Sequence, residues 1–108
     1  MDAQLKKGIL EICVLAGLCR GKSYGYRIQR DISEWINLSE SALYHILKRC
    51  EQAGFVTAES VEHQGRLRRM YSITDAGKAR IEEFKKEWKD ILRAFEFIER
   101  AVSGNDEK

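Results

Sequence analysis

The sequence predicts an α+β, mostly helical fold: a winged helix-turn-helix with a long C-terminal dimerisation helix. Three observations carry that expectation. Apolar residues recur at helical spacing through three successive segments, a β-rich stretch around Gln64-Gly65 follows, and a heptad seam runs from Ile81 to Val102. Helix, helix, short turn, helix and two-stranded hairpin is the order in which a third helix enters a DNA major groove and the hairpin touches flanking backbone or minor groove.

Ile9, Ile12, Cys13 and Ala16, with Leu5 one turn earlier, predict a first helix from about Leu5 to Arg20, ended by Gly21. Ser23 is suited to cap a second helix from Tyr24 to about Trp35, with Tyr24, Ile28, Ile32 and either Trp35 or Ile36 on one face. Asn37-Leu38 makes the turn. Ser39 caps a third helix whose inward stripe is Leu43, Ile46, Leu47 and Cys50, and Gly54 stops it. Phe55 to Glu62 and Leu67 to Ile73 then read as paired strands, with Arg69, Tyr71 and Ile73 sharing a face. Thr74 caps the last helix, along which Ile81, Phe84, Trp88, Ile91, Phe95, Ile98 and Val102 alternate steps of three and four. Gly77 in its first turn costs about 1 kcal/mol against Ala, which packing must offset.

Composition narrows the function classes. The chain has 108 residues, 44% hydrophobic and 33% charged, which suits one folded domain and leaves no room for a separate catalytic one. The net charge of +2 is unevenly spread: nine Lys/Arg face six Asp/Glu between Arg20 and Thr74, whereas eight face nine from Asp75 onward. Positive charge therefore concentrates in the middle of the chain. Cys13, Cys19 and Cys50 lie at no metal-ligand spacing, so neither metal nor cofactor is expected, and Cys13 and Cys50 read as small buried hydrophobes. The longest apolar stretch, Ile9 to Cys19, contains Glu11 and is too short to span a bilayer, and the first residues do not read as a signal peptide. A reducing cytoplasm and no membrane partner are the expectation. No phosphate loop or nucleophile and base pair suggests an enzyme.

The distribution of donors favours double-stranded DNA as the partner. Ser41, Tyr44, His45, Lys48 and Arg49 lie largely off the inward stripe of the third helix, and Arg66, Arg68 and Arg69 cluster around Gly65 on the wing. Lys48 or Arg49 alone reads better as a solvated helix face; together with three wing arginines the pair favours phosphate. Tyr44 reads equally as a core aromatic or a phosphate contact, and Arg69, alternating with Tyr71 and Ile73, as a structural residue or a binding one. His45 has no second ligand at helical spacing and reads as a polar surface residue. The rival classes are a winged-helix module that binds a protein partner, and a ligand-responsive sensor whose DNA binding is secondary.

Several segments, in order, resemble the PadR family of bacterial repressors: Leu5-Lys6-Lys7-Gly8-Ile9-Leu10-Glu11, Ser23-Tyr24-Gly25-Tyr26-Arg27-Ile28, Leu38 to Tyr44 running into Leu47-Lys48-Arg49, and Gly65 to Thr74 with Gly77. The resemblance implies a dimeric repressor on a palindromic operator, often released by a small molecule. It also implies that Tyr24 and the segment Ser39 to Arg49 make backbone and groove contacts, and that Gly65 to Arg69 form the wing. The single short final helix is similar to that of a smaller subgroup, some members of which hold planar drugs between paired tryptophans in the dimer pore. Trp88 occupies the corresponding place and would be the contact for a small aromatic or hydrophobic effector; interface packing is the competing reading. The family often reads Gly-Thr-Leu-Tyr-Pro in its recognition helix. Ser41-Ala42-Leu43-Tyr44-His45 departs from that pattern, so the helix is expected to continue through His45.

Residues 1–74 are thus expected to form the DNA-binding region, 75–103 the dimerisation helix of the same domain, and 104–108 a frayed tail. Leu92 and Phe97 widen the seam, and the partner's first helix is a candidate to pack against it.

Overall fold

A computed structural model describes residues 1–104; of the expected frayed tail, 105–108 lie outside the described residues. Four helices and three strands follow in the order α1 (Ala3–Leu18), β1 (Ser23–Tyr24), α2 (Gly25–Ser33), α3 (Glu40–Gln52), β2 (Val56–His63), β3 (Arg66–Ile73) and α4 (Asp75–Ser103). The antiparallel sheet has the order β1-β3-β2. One core joins α1, α2, α3 and the inner face of the sheet, built on Val14, Leu15, Leu18, Ile28, Leu47, Cys50, Val56 and Tyr71 among others. The 29 residues of α4, about 44 Å of helix at 1.5 Å per residue, give the chain its 65 Å long axis.

Local chemistry explains most boundaries. Asp2 caps α1 by accepting from the Leu5 amide at 3.1 Å, so the helix begins two residues earlier than expected. Ser39 caps α3 through the Ala42 amide at 3.1 Å, and α3 runs unbroken through His45. Its stripe Leu43, Ile46, Leu47 and Cys50 is buried as the periodicity predicts. In the turn between α2 and α3, the Leu38 carbonyl accepts from Gln29 Nε2 at 3.0 Å and Ser33 Oγ at 3.5 Å while its side chain enters the core. Gln64 and Gly65 both take positive φ, 52° and 78°, which makes a two-residue hairpin turn that glycine favours.

Two expectations are corrected, for Ser23 and for the face of α1, and one alternative is decided. Ser23 does not cap α2: it pairs with Tyr71 in β1, Tyr24 precedes the helix, and the Ser23 hydroxyl is buried without a partner. The α2 face is completed by half-buried Ile36, leaving Trp35 87% exposed. On α1 the buried residues are Leu10, Ile12, Val14, Leu15 and Leu18, whereas Ala16 and Leu5 are exposed. That helix contacts α2, α3, β3 and α4, so packing surrounds it and no single stripe marks its core side.

The start of α4 is fastened to the end of α3. Thr74 Oγ1 accepts from the Gly77 amide at 3.1 Å and donates to the Gly54 carbonyl at 2.6 Å, while the Thr74 amide reaches the Phe55 carbonyl at 3.0 Å. A Cβ at Gly77 would lie 2.3 Å from the Phe55 oxygen and 2.7 Å from Ile73 Cγ1. Glycine therefore permits this approach, which offsets its poor helix propensity.

Candidate nucleic-acid interface

With its apolar stripe turned inward, α3 leaves Ser39, Ser41, Tyr44, His45 and Lys48 exposed, and Arg49 half-buried. On the hairpin, Gly65, Arg66 and Arg69 are exposed and Arg68 half-buried. Antiparallel pairing of β1 with β3 places Tyr24 opposite Met70 and so brings the start of α2 beside the wing. The result is a groove of about 450 Å³ between α2, α3 and β3, whose lining includes Tyr24, Tyr26, Gln29, Glu40, Tyr44, Arg66, Arg68 and Arg69. A second hollow of about 390 Å³ lies between α1 and α3, where Ser39, His45 and Arg49 meet Lys6, Lys7 and Asn37. Ser41, Lys48 and Gly65 line neither.

Ion pairing divides the cations into two groups. The Arg49 Nη2 and Nε each lie 3.0 Å from Glu11 Oε1 on α1, and Arg80 of α4 approaches the other Glu11 oxygen at 3.8 Å. Arg69 Nη2 meets Glu51 Oε2 at 3.0 Å, an attraction that raises the Arg69 pKa. Lys48, Arg66, Arg68 and Arg27 take part in no ion pair among the described residues. Arg68 and Arg27 instead lie over the Tyr24 ring, their guanidinium carbons 4.2 and 4.9 Å from its centroid. Hydrogen bonding to Arg68 above all holds the Tyr24 phenol below its ordinary pKa. In the core the forces run the other way: burial, reinforced by Glu11, pushes the Cys50 thiol up to about 11, and burial alone raises Cys13.

Arg27, Tyr26, Lys6 and Lys7 were missed as members of this face by sequence reasoning. The Lys6-Lys7 pair was visible as local charge, but only the packing of α1 on α3 brings it beside His45. For Arg27 no local signal existed, because its neighbour Arg68 stands 41 residues away in the chain and reaches it only through the strand pairing.

The heptad seam behaves differently along its length. Ile81 and Phe84 pack against the core, and half-buried Trp88 stacks on Phe84 with centroids 5.4 Å apart and planes 15° from parallel. Beyond them Ile91, Leu92, Phe95, Phe97, Ile98 and Val102 are all exposed. Among the described residues no helix is long and apolar enough to cross a membrane, and no three His, Cys, Asp or Glu side chains gather where a metal could be held.

Comparison with known proteins agrees with this architecture. Residues 14–83 match the transcriptional regulator PadR-like family, whose members are transcription regulators and not enzymes. An uncharacterized protein of Lysinibacillus sphaericus is 31% identical over 90 residues, covering 79% of this chain and 83% of that protein. A PadR family transcription regulator from Clostridium difficile superposes with a TM-score of 0.76 at 27% identity, over 82% of this chain and 95% of that one. Bacillus subtilis PadR, solved in complex with operator DNA, superposes with a TM-score of 0.66 at 25% identity, over 70% of this chain and 46% of that longer one. With a family match over most of its length and the winged architecture those relatives share, this chain belongs to the PadR-like family of transcriptional regulators.

Proposed function

We propose that two copies of this chain pair through α4 and bind a pseudo-palindromic operator as a cytoplasmic repressor. Each copy inserts α3 into a major groove and lays its hairpin on the flanking backbone. The observation that carries the reading is the row of α3 donors left exposed, Ser41, Tyr44, His45 and Lys48, together with exposed Arg66 and half-buried Arg68 of the wing, neither of which is in an ion pair among the described residues. Hydroxyl, imidazole and cationic donors suit base edges and phosphate oxygens. Arg49 and Arg69 border the same face; their ion pairs with Glu11 and Glu51 suit them to orienting α3 and the wing, with any phosphate contact made beyond those pairs. The bare stretch Ile91 to Val102 supports pairing, since a second copy would cover it, and a two-fold dimer spaces its recognition helices roughly 34 Å apart, one turn of B-DNA.

Release by a small aromatic effector is the finer part of the proposal, and Trp88 is its contact. Its indole already stacks on Phe84 and stands where the buried and bare parts of the seam meet. Repression itself rests on the family.

The test is an anisotropy titration against DNA from immediately upstream of the chain's own gene, with scrambled competitor and two salt concentrations. Tight, competitor-resistant binding by two chains per site, weakening steeply with salt, is expected. Absence of binding even at low salt would sink the reading and turn the search to protein partners.

A further inference from the structure

Two arginines, Arg27 and Arg68, share the Tyr24 ring with no acid among the described residues to neutralise them. Elsewhere on this side of the protein Arg49, Arg69 and Arg80 each meet a glutamate within 4.0 Å. Among the described residues Arg27 and Arg68 meet none, and their guanidinium carbons lie 4.9 and 4.2 Å from the centroid of one ring, that of Tyr24, so two like charges share it. The Tyr24 hydroxyl, polarised by both guanidiniums, and the first-turn amides of α2, which have no side-chain cap, complete a concentration of donors at one spot.

From this geometry we infer that Tyr24, Arg27 and Arg68 form a seat for one DNA backbone phosphate, at the base of the wing beside the groove that borders α3. The inference rests on the operator-binding reading and deepens it. It adds Arg27 as a contact and assigns Arg68 to a defined partner. An incoming phosphate supplies the missing negative charge and accepts from both guanidiniums and the phenol. Because the seat touches no base, it positions the protein without reading sequence.

The experiment is a salt-dependence titration of the full chain and of Arg27→Ala and Arg27→Lys, against the upstream duplex and a scrambled duplex of equal length. For Arg27→Ala the slope of log affinity against log salt is expected to shrink by about 0.9 for each seat lost, with both duplexes weakened alike. Arg27→Lys, which keeps the charge, should keep the slope. A purely structural stacking role would instead lower the melting temperature and leave the slope unchanged. A wild-type slope in Arg27→Ala overturns the seat, while the operator reading still stands on the wild-type protein's own binding. If the wild-type protein binds neither duplex, the operator reading and the DNA source fall together. A titration with inorganic phosphate, followed at the Tyr26 and Arg27 amides by NMR, then separates them: saturable shifts lost in Arg27→Ala reassign the seat to a free phosphate ligand, and no shifts overturn it altogether.

Discussion

Helices α3 and α4 both carry apolar side chains at helical spacing, yet the two stripes end in opposite surroundings. Leu43, Ile46 and Leu47 of α3 are each 3% exposed, whereas Phe95 and Ile98 of α4 are 54% and 53% exposed. The same pattern therefore serves two purposes. On α3 it is closed by α1, α2 and the sheet of the same chain, which frees the opposite face for polar donors. On α4 Ile81 and Phe84 reach that core, Trp88 stacks on Phe84, and Ile91, Phe95, Ile98 and Val102 are exposed. Periodicity reports that a face is apolar; it does not report what lies against it.

The contrast can be tested on each side. The largest loss of stability within one chain is expected for Leu47→Ala, which removes a buried side chain shared between α3 and its neighbours and should destabilise the fold by about 2–5 kcal/mol in a urea titration. Gly77→Ala comes next. Its added methyl would collide with the Phe55 carbonyl and Ile73, and relieving that contact should cost about 1–3 kcal/mol, against the usual gain for alanine in a helix. The smallest intrinsic effect is expected at Ile98→Asp: near-UV circular dichroism of the winged region should stay native while sedimentation shows a shift from two chains to one. A protein that lost its winged region in Ile98→Asp, or stayed paired, would contradict the division of the two stripes. Because pairing would make apparent stability depend on concentration, the three variants are compared at matched protein concentrations.

Much of the fold was legible because its signals are local. Caps at Ser39 and Thr74, the Gln64-Gly65 turn and the α3 stripe each depend on residues a few positions apart, and each appears where the spacing puts it. The expected hairpin differs from the observed one by only a residue at its ends, since a two-residue turn tightens the loop. Where the expectations failed, the deciding contact was distant. Ser23 has the chemistry of a cap, but pairing with Tyr71 draws it into a strand. The face of α1 was misread because four elements surround an almost wholly apolar segment, leaving no polar side to define the stripe.

The candidate interface divides along the same line. The exposed row on α3 followed from helical spacing alone, because a buried stripe implies the face opposite it, and the wing arginines followed from their clustering around Gly65. Which cations are already neutralised did not follow, since Arg49 and Glu11 are separated by 38 residues and Arg69 and Glu51 by 18. Element order, helix phase and the inventory of donors are properties of neighbours along the chain, set by hydrogen-bonding periods and capping chemistry, and those the amino-acid order settled. The choice of which arginine meets a glutamate, which tyrosine joins α2 to the wing, and which apolar residues stay uncovered belongs to the packed chain, because ion pairing and burial depend on distances that only folding creates.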